Sequence, residues 1–125
     1  MKRLAGGMMC MVAAGLLSAP LFAADAGNGE DLFDTNCGDC HSVSAKVMNR
    51  KGPSLYHLIG RKAASLGGFK YSAAMAKSGI SWTPQELDAY LAAPKGKVPG
   101  GIMKFKGLSK ASDRADVIAY LASVR

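Results

Sequence analysis

The sequence predicts a small all-α domain with long loops. Three observations carry that prediction. Apolar residues recur at helical spacing near both ends of the chain. Thr83-Pro84-Gln85-Glu86 is a strong helix-start signal. No segment alternates apolar and polar residues as a half-buried strand would.

The elements follow in order. Met1-Lys2-Arg3, the apolar run Leu4 to Leu17 and the small residues before Asp25 describe an export signal, expected as residues 1–24 and cleaved. A retained anchor is the competing reading, but the run is broken by glycines and falls short of the roughly 20 apolar residues of a spanning helix. Cys10 lies too early, and Gly7-Met8-Met9 before it is not a lipobox, so it reads as a leader hydrophobe. Cleavage leaves one domain, 25–125, with two cysteines and three methionines, Met48, Met75 and Met103. A chain this small has a marginal core without a staple or a cofactor.

Asn28 is the expected cap of a first helix, with Glu30 and Asp31 at its positive end. Gly29, Leu32, Phe33 and Asn36 would face inward and lead to Cys37. From Ser42 to Ser81 loops dominate, with a short helical turn at Ala73 to Lys77. Thr83 and Glu86 form a capping box, Leu87, Tyr90 and Leu91 share a face, and Pro94 stops that helix. A loop from Lys95 to Gly107 carries Met103. The last helix spans Lys110 to Val124, with Val117, Tyr120, Leu121 and Val124 as its stripe. The two terminal helices are the expected packing pair.

Cys37-Gly38-Asp39-Cys40-His41 carries the chemistry. Two residues between the thiols let both sulfurs reach adjacent vinyl groups of a haem, and the next histidine lies ready as the proximal iron ligand. A zinc site is the alternative, but it needs four ligands and only His57 remains as a further strong donor. A Cys37–Cys40 disulfide is another, given export. For a sixth iron ligand the residues leave Met48, Met75, Met103, His57 and the lysines open. A methionine is more often core filler. Met103 stands apart because it follows a Pro-Gly-Gly turn between two helices, in a loop able to close over a flat cofactor. A lone histidine such as His57 reads as surface.

The formal charge is +7, and +5 once Lys2 and Arg3 leave with the leader. No long basic run, zinc-finger spacing or RNA-binding aromatic motif is present, which excludes nucleic acid as the expected partner. Acidic proteins suit the excess better.

The sequence resembles the class I c-type cytochromes of the mitochondrial and short bacterial kind. The match runs in register from Gly29 to Leu121. It rests on Gly29, Phe33, the pentad, Gly52-Pro53, Leu58-Ile59-Gly60-Arg61-Lys62, Tyr71 and Gly79-Ile80-Ser81-Trp82. It continues through Tyr90-Leu91, Pro94-Lys95, Val98-Pro99-Gly100, Met103, Phe105, Gly107 and Ile118-Ala119-Tyr120-Leu121.

The resemblance implies the small cytochrome c fold, with N- and C-terminal helices packed together around one haem c joined through Cys37 and Cys40. It implies His41 and Met103 as axial ligands, the Pro53 carbonyl accepting the other imidazole N–H, and Tyr90 beside the Met103 sulfur. Arg61, Tyr71 and Trp82 would lie near the propionates, although a lone Trp is commonly plain core. His/Met ligation in a dry pocket raises the reduction potential. With both axial positions filled, the expected role is a monomeric, periplasmic one-electron carrier, not an enzyme. Its donor would be a quinol-oxidising complex or dehydrogenase, and its acceptor an oxidase, reaction centre or reductase. Lys95, Lys97, Lys104 and Lys106 would steer these acidic partners; a merely solvated basic loop is the plain reading. The alternative function is a haem peroxidase or gas-binding protein with a labile Met103. Two positions depart from the family pattern: Met75 stands where Asn is common, and Gly101 where Thr is common.

Overall fold

The computed structural model describes Gly15 and residues 23–125; the expected export signal otherwise lies outside the described residues, apart from exposed Ala23 and Ala24. Five helices follow in order: α1 Ala26–Asn36, α2 Ala73–Lys77, α3 Pro84–Ala92, α4 Pro94–Lys97 and α5 Ala111–Ser123. Among the described residues there is no strand, only an isolated antiparallel bridge between Lys62 and Ser81. No described helix is long and apolar enough to cross a membrane.

The start of α1 corrects the sequence reading. Asp25, not Asn28, is the cap, and its carboxylate accepts from the amides of Gly27 and Asn28. Asn28 instead donates its side-chain amide to Asp116 Oδ2 at 2.7 Å, while Asp116 Oδ1 accepts from the Asp25 amide at 2.8 Å. The earlier start leaves no acid in the first turn of α1. A tertiary partner on α5 outbid the local capping option for the Asn28 side chain.

α5 packs on α1 and on α3. The crossing with α1 is close because Gly29 has no side chain: a Cβ there would overlap the Asp116 carbonyl and lie 3.0 Å from Tyr120 Cβ. Phe33, Val117 and Leu121 are buried beside it, and the Phe33 and Tyr120 rings lie 5.5 Å apart. Asn36, expected inward, borders the internal cavity, is exposed and turns its amide back to the Leu32 carbonyl.

At α3 the Thr83 hydroxyl accepts from the Glu86 amide at 3.2 Å, as expected. The reciprocal half of the capping box does not form. Thr83 N–H is taken by the Ser81 carbonyl at 2.8 Å, and the Glu86 carboxylate meets Lys97 at 2.6 Å. Leu87, Tyr90 and Leu91 are buried as one face. Pro94 ends α3 but also opens α4, so the stretch read as loop from Lys95 begins with a helical turn. Proline fits that first position because its missing N–H needs no partner there.

Candidate haem site

A cavity of about 600 Å³ opens between the pentad, the 51–75 segment, α3 and the Met103 loop. It has the size of a small-molecule or cofactor pocket. Cys37, Cys40 and His41 line it from the end of α1. The pentad is a tight turn, with the amides of Cys40 and His41 both donating to the Cys37 carbonyl. That turn places both thiols and the imidazole at one wall. Neither cysteine is in a disulfide.

His41 is held by its surroundings. Its Nδ1 lies 2.7 Å from the Pro53 carbonyl oxygen. A carbonyl only accepts, so Nδ1 carries the proton and Nε2 keeps the lone pair a metal needs. Burial lowers the His41 pKa and the Arg61 charge acts the same way, against the Pro53 hydrogen bond, which raises it. Gly52 packs against the ring: a Cβ there would sit 2.7 Å from Nδ1 and 2.8 Å from Nε2. The Gly52 amide is tied to the Cys40 carbonyl at 2.8 Å, closing this wall.

Burial, and then the neighbouring Cys40, push the Cys37 thiol up to about 11. Such surroundings penalise a thiolate and suit a neutral thioether. The zinc alternative loses its fourth ligand, because His57 is exposed and does not line the cavity. Among the described residues no three His, Cys, Asp or Glu side chains converge as a metal-holding group.

Met103 and Tyr90 line the same cavity, and the Tyr90 hydroxyl donates to the Met103 sulfur at 3.9 Å. Burial raises the Tyr90 pKa, so the phenol stays protonated and keeps its donor. Trp82 is buried and stacks at a tilt on Tyr90, with ring centroids 5.1 Å apart. Arg61 donates to the carbonyls of Ser54 at 2.7 Å and Tyr56 at 3.2 Å, which anchors its half-buried guanidinium at the rim. Tyr71 also lines the cavity and meets Phe69 edge-on at 5.0 Å. Every residue that the resemblance implies for this site therefore lies on one cavity, while Met48 and His57, left open as iron ligands, do not line it.

Other residues of the site, apart from Met75, which the sequence left open as an iron ligand, carried no chemical signal in the sequence. Ser54 is fully buried, its amide bonded to Asn49 Oδ1 at 3.0 Å. Leu58 and Phe69 supply apolar wall. Met75 adds a half-buried thioether to the lining. Gly101 lies outside it, and a Cβ there would press on the Val98 carbonyl at 3.1 Å.

The four lysines are not equivalent. Lys97 is paired with Glu86, whereas Lys95, Lys104 and Lys106 line a second cleft of about 470 Å³. Lys104 and Phe105 belong to both clefts, so the basic surface adjoins the larger cavity.

Comparison with known proteins agrees with this geometry. The cytochrome c family model matches residues 26–125. Cytochrome c-type cyt cy of Rhodobacter capsulatus is 50% identical over 97 residues, 78% of this chain and 48% of that protein. The chain thus spans about half the length of that relative. Cytochrome c of Arabidopsis thaliana is 43% identical over 97 residues, 78% of this chain and 87% of that protein. Cytochrome cH from Methylobacterium extorquens superposes with a TM-score of 0.75 at 40% identity, covering 80% of this chain and 99% of that one. The chain belongs to the cytochrome c family, electron carriers built on the covalently attached haem c that is also its cofactor.

Proposed function

We propose that the chain is an exported, periplasmic one-electron carrier, not an enzyme, and that residues 1–24 are removed on export. Cys37 and Cys40 would hold the haem through thioethers, and His41 and Met103 would hold its iron. The haem, when bound, supplies a reversible iron(II)/iron(III) couple. The observation that carries this reading is the shared cavity: an imidazole with its Nε2 lone pair free and a thioether tethered by Tyr90 both line it beside the two thiols.

The chain's own groups do the positioning. Pro53 and Gly52 fix the imidazole, Tyr90 orients the sulfur, and the apolar wall excludes water. Arg61, Tyr71 and Trp82 are the groups available to the propionates. With an imidazole nitrogen and a thioether sulfur both offered to the iron, a substrate would find no free site there, which favours outer-sphere transfer.

Lys95, Lys104 and Lys106 attract acidic redox partners, such as a quinol-oxidising complex or dehydrogenase and a terminal acceptor. Lys97 contributes less, because Glu86 already neutralises it. Neutralising the first three lysines together is expected to slow transfer to an acidic partner about tenfold or more at low salt, and high salt should erase the difference. Equal rates at low salt would reject this docking surface.

Acid–acetone extraction followed by mass measurement tests the core of the proposal. One haem retained on a chain beginning at Asp25 is the expected result; loss of the haem into acetone would refute covalent attachment. Carbon monoxide separates carrier from peroxidase: the reduced protein should resist it at neutral pH, and rapid binding would show an open iron.

A further inference from the structure

The loop that carries Met103 packs Met103 against the core and Gly107 against the Leu91 and Ala92 carbonyls, but has no backbone hydrogen bond in its middle. No backbone group of residues 102–107 makes a backbone hydrogen bond, and the polar contact of the Met103 side chain is the long one from Tyr90. Its two ends are tied instead. At the entry, Lys97 meets Glu86 at 2.6 Å, and the amide of Val98 donates to the Pro94 carbonyl at 2.9 Å. At the exit, the Leu108 amide donates to the Leu91 carbonyl at 2.8 Å. Arg114 of α5 then gathers three further acceptors. Its Nε donates to Asp88 Oδ1 at 2.7 Å, and its Nη1 donates to the carbonyls of Leu108 at 2.9 Å and Ser109 at 3.0 Å.

We propose that Arg114, oriented by Asp88, is the positioning residue that keeps Met103 seated, with Glu86–Lys97 as a weaker second tie. This rests on the reading of Met103 as an axial ligand. The physical case is one of leverage. A span without internal hydrogen bonds is only as ordered as its attachments. The Arg114 side chain is 14% exposed, although its Asp88 partner is 49% exposed, so water poorly replaces the bonds on the guanidinium's side. The Glu86–Lys97 pair, at 39% and 31% side-chain exposure, is a single contact between two long side chains and correspondingly weaker. Only an arginine fork can reach a carboxylate and two carbonyls together; a lysine supplies one point charge. Loosening the exit raises the population of the loop with its sulfur off the metal, and any small ligand that needs that state gains apparent affinity in proportion.

The test uses the exported ferric holoprotein and imidazole as the probe. Binding is followed by loss of the red-region absorption of sulfur-bound iron. Arg114→Lys and Asp88→Asn should each tighten imidazole binding about tenfold, and Glu86→Gln about twofold. Gly29→Ala is the control for general destabilisation. It strains the α1–α5 crossing and touches neither tie of the loop; imidazole affinity should not move. Affinities within twofold of the parent in both Arg114→Lys and Asp88→Asn would overturn the proposal. So would an equal gain in Gly29→Ala, because the effect would then be mere loss of stability. A parent protein lacking the red-region band, or one whose band survives Met103→Ala, would instead remove the ligand reading on which the proposal stands.

Discussion

The α1–α5 crossing and the Met103 loop are held by different physics. At the crossing, backbone meets side chains with no slack, and Phe33, Val117 and Leu121 are almost wholly buried. In the loop, a run of residues lacks backbone partners and is fastened at its ends by a few polar side chains. Close packing tolerates little change in volume, while a polar tether fails gradually, one bond at a time. The region that sets stability and the loop that carries the proposed sixth ligand can therefore be altered separately.

The largest effect should come from filling the crossing. Gly29→Ala places a methyl into the Asp116 carbonyl and forces the two helices apart, costing about 3 kcal/mol in urea unfolding. An unchanged unfolding midpoint would show that the contact is slack after all. Next is Gly52→Ala, whose methyl would push the His41 ring from its place against the Pro53 carbonyl. A disturbed iron spectrum is expected with the helix crossing intact, and a parent-like spectrum would show that the wall yields.

Tyr90→Phe removes one donor to the sulfur while keeping the ring that packs on Trp82. About 1 kcal/mol of Met103 seating should be lost, read as roughly fivefold tighter imidazole binding with global stability nearly unchanged. The smallest effect belongs to Asp116. Hydrogen bonds from the Asp25 amide and then Asn28 hold its carboxyl below the usual carboxylate range, with Lys110 adding to the same direction and desolvation opposing it. A depressed carboxylate stabilises the fold above the unfolded value, near 4, and that contribution is lost as pH falls through the folded value. Asp116→Asn should therefore be slightly less stable than the parent near neutrality and converge with it in acid. A difference that persisted unchanged at low pH would assign the effect to something other than this titration.

Much of the fold was legible in the chain. Thr83-Pro84 marked α3, the stripe of Val117 and Leu121 marked α5, and Cys37 to His41 marked the cofactor, because each signal is carried by neighbours in sequence. The places where local signals misled share one cause. Asn28 was free to cap α1, and Glu86 was free to close a capping box; each found a better-placed partner far along the chain, Asp116 and Lys97. Lys97 in turn left the group of available lysines. Gly52 gave no chemical signal of its own, since what matters there is the space beside His41, and Ser54 gave none because its carbonyl meets Arg61 only in the fold.

Covalent adjacency and helical spacing are properties of the chain itself, so the attachment pentad, the helices and their inward faces could be read directly from it. Which of several competent polar groups pair is a competition among alternatives nearly equal in energy. Only the packed chain, by bringing α5 to α1 and α4 to α3, decides it. The seating of Met103 belongs to that second kind: its residue type was visible in the sequence, but Arg114 and Asp88 meet only in the fold.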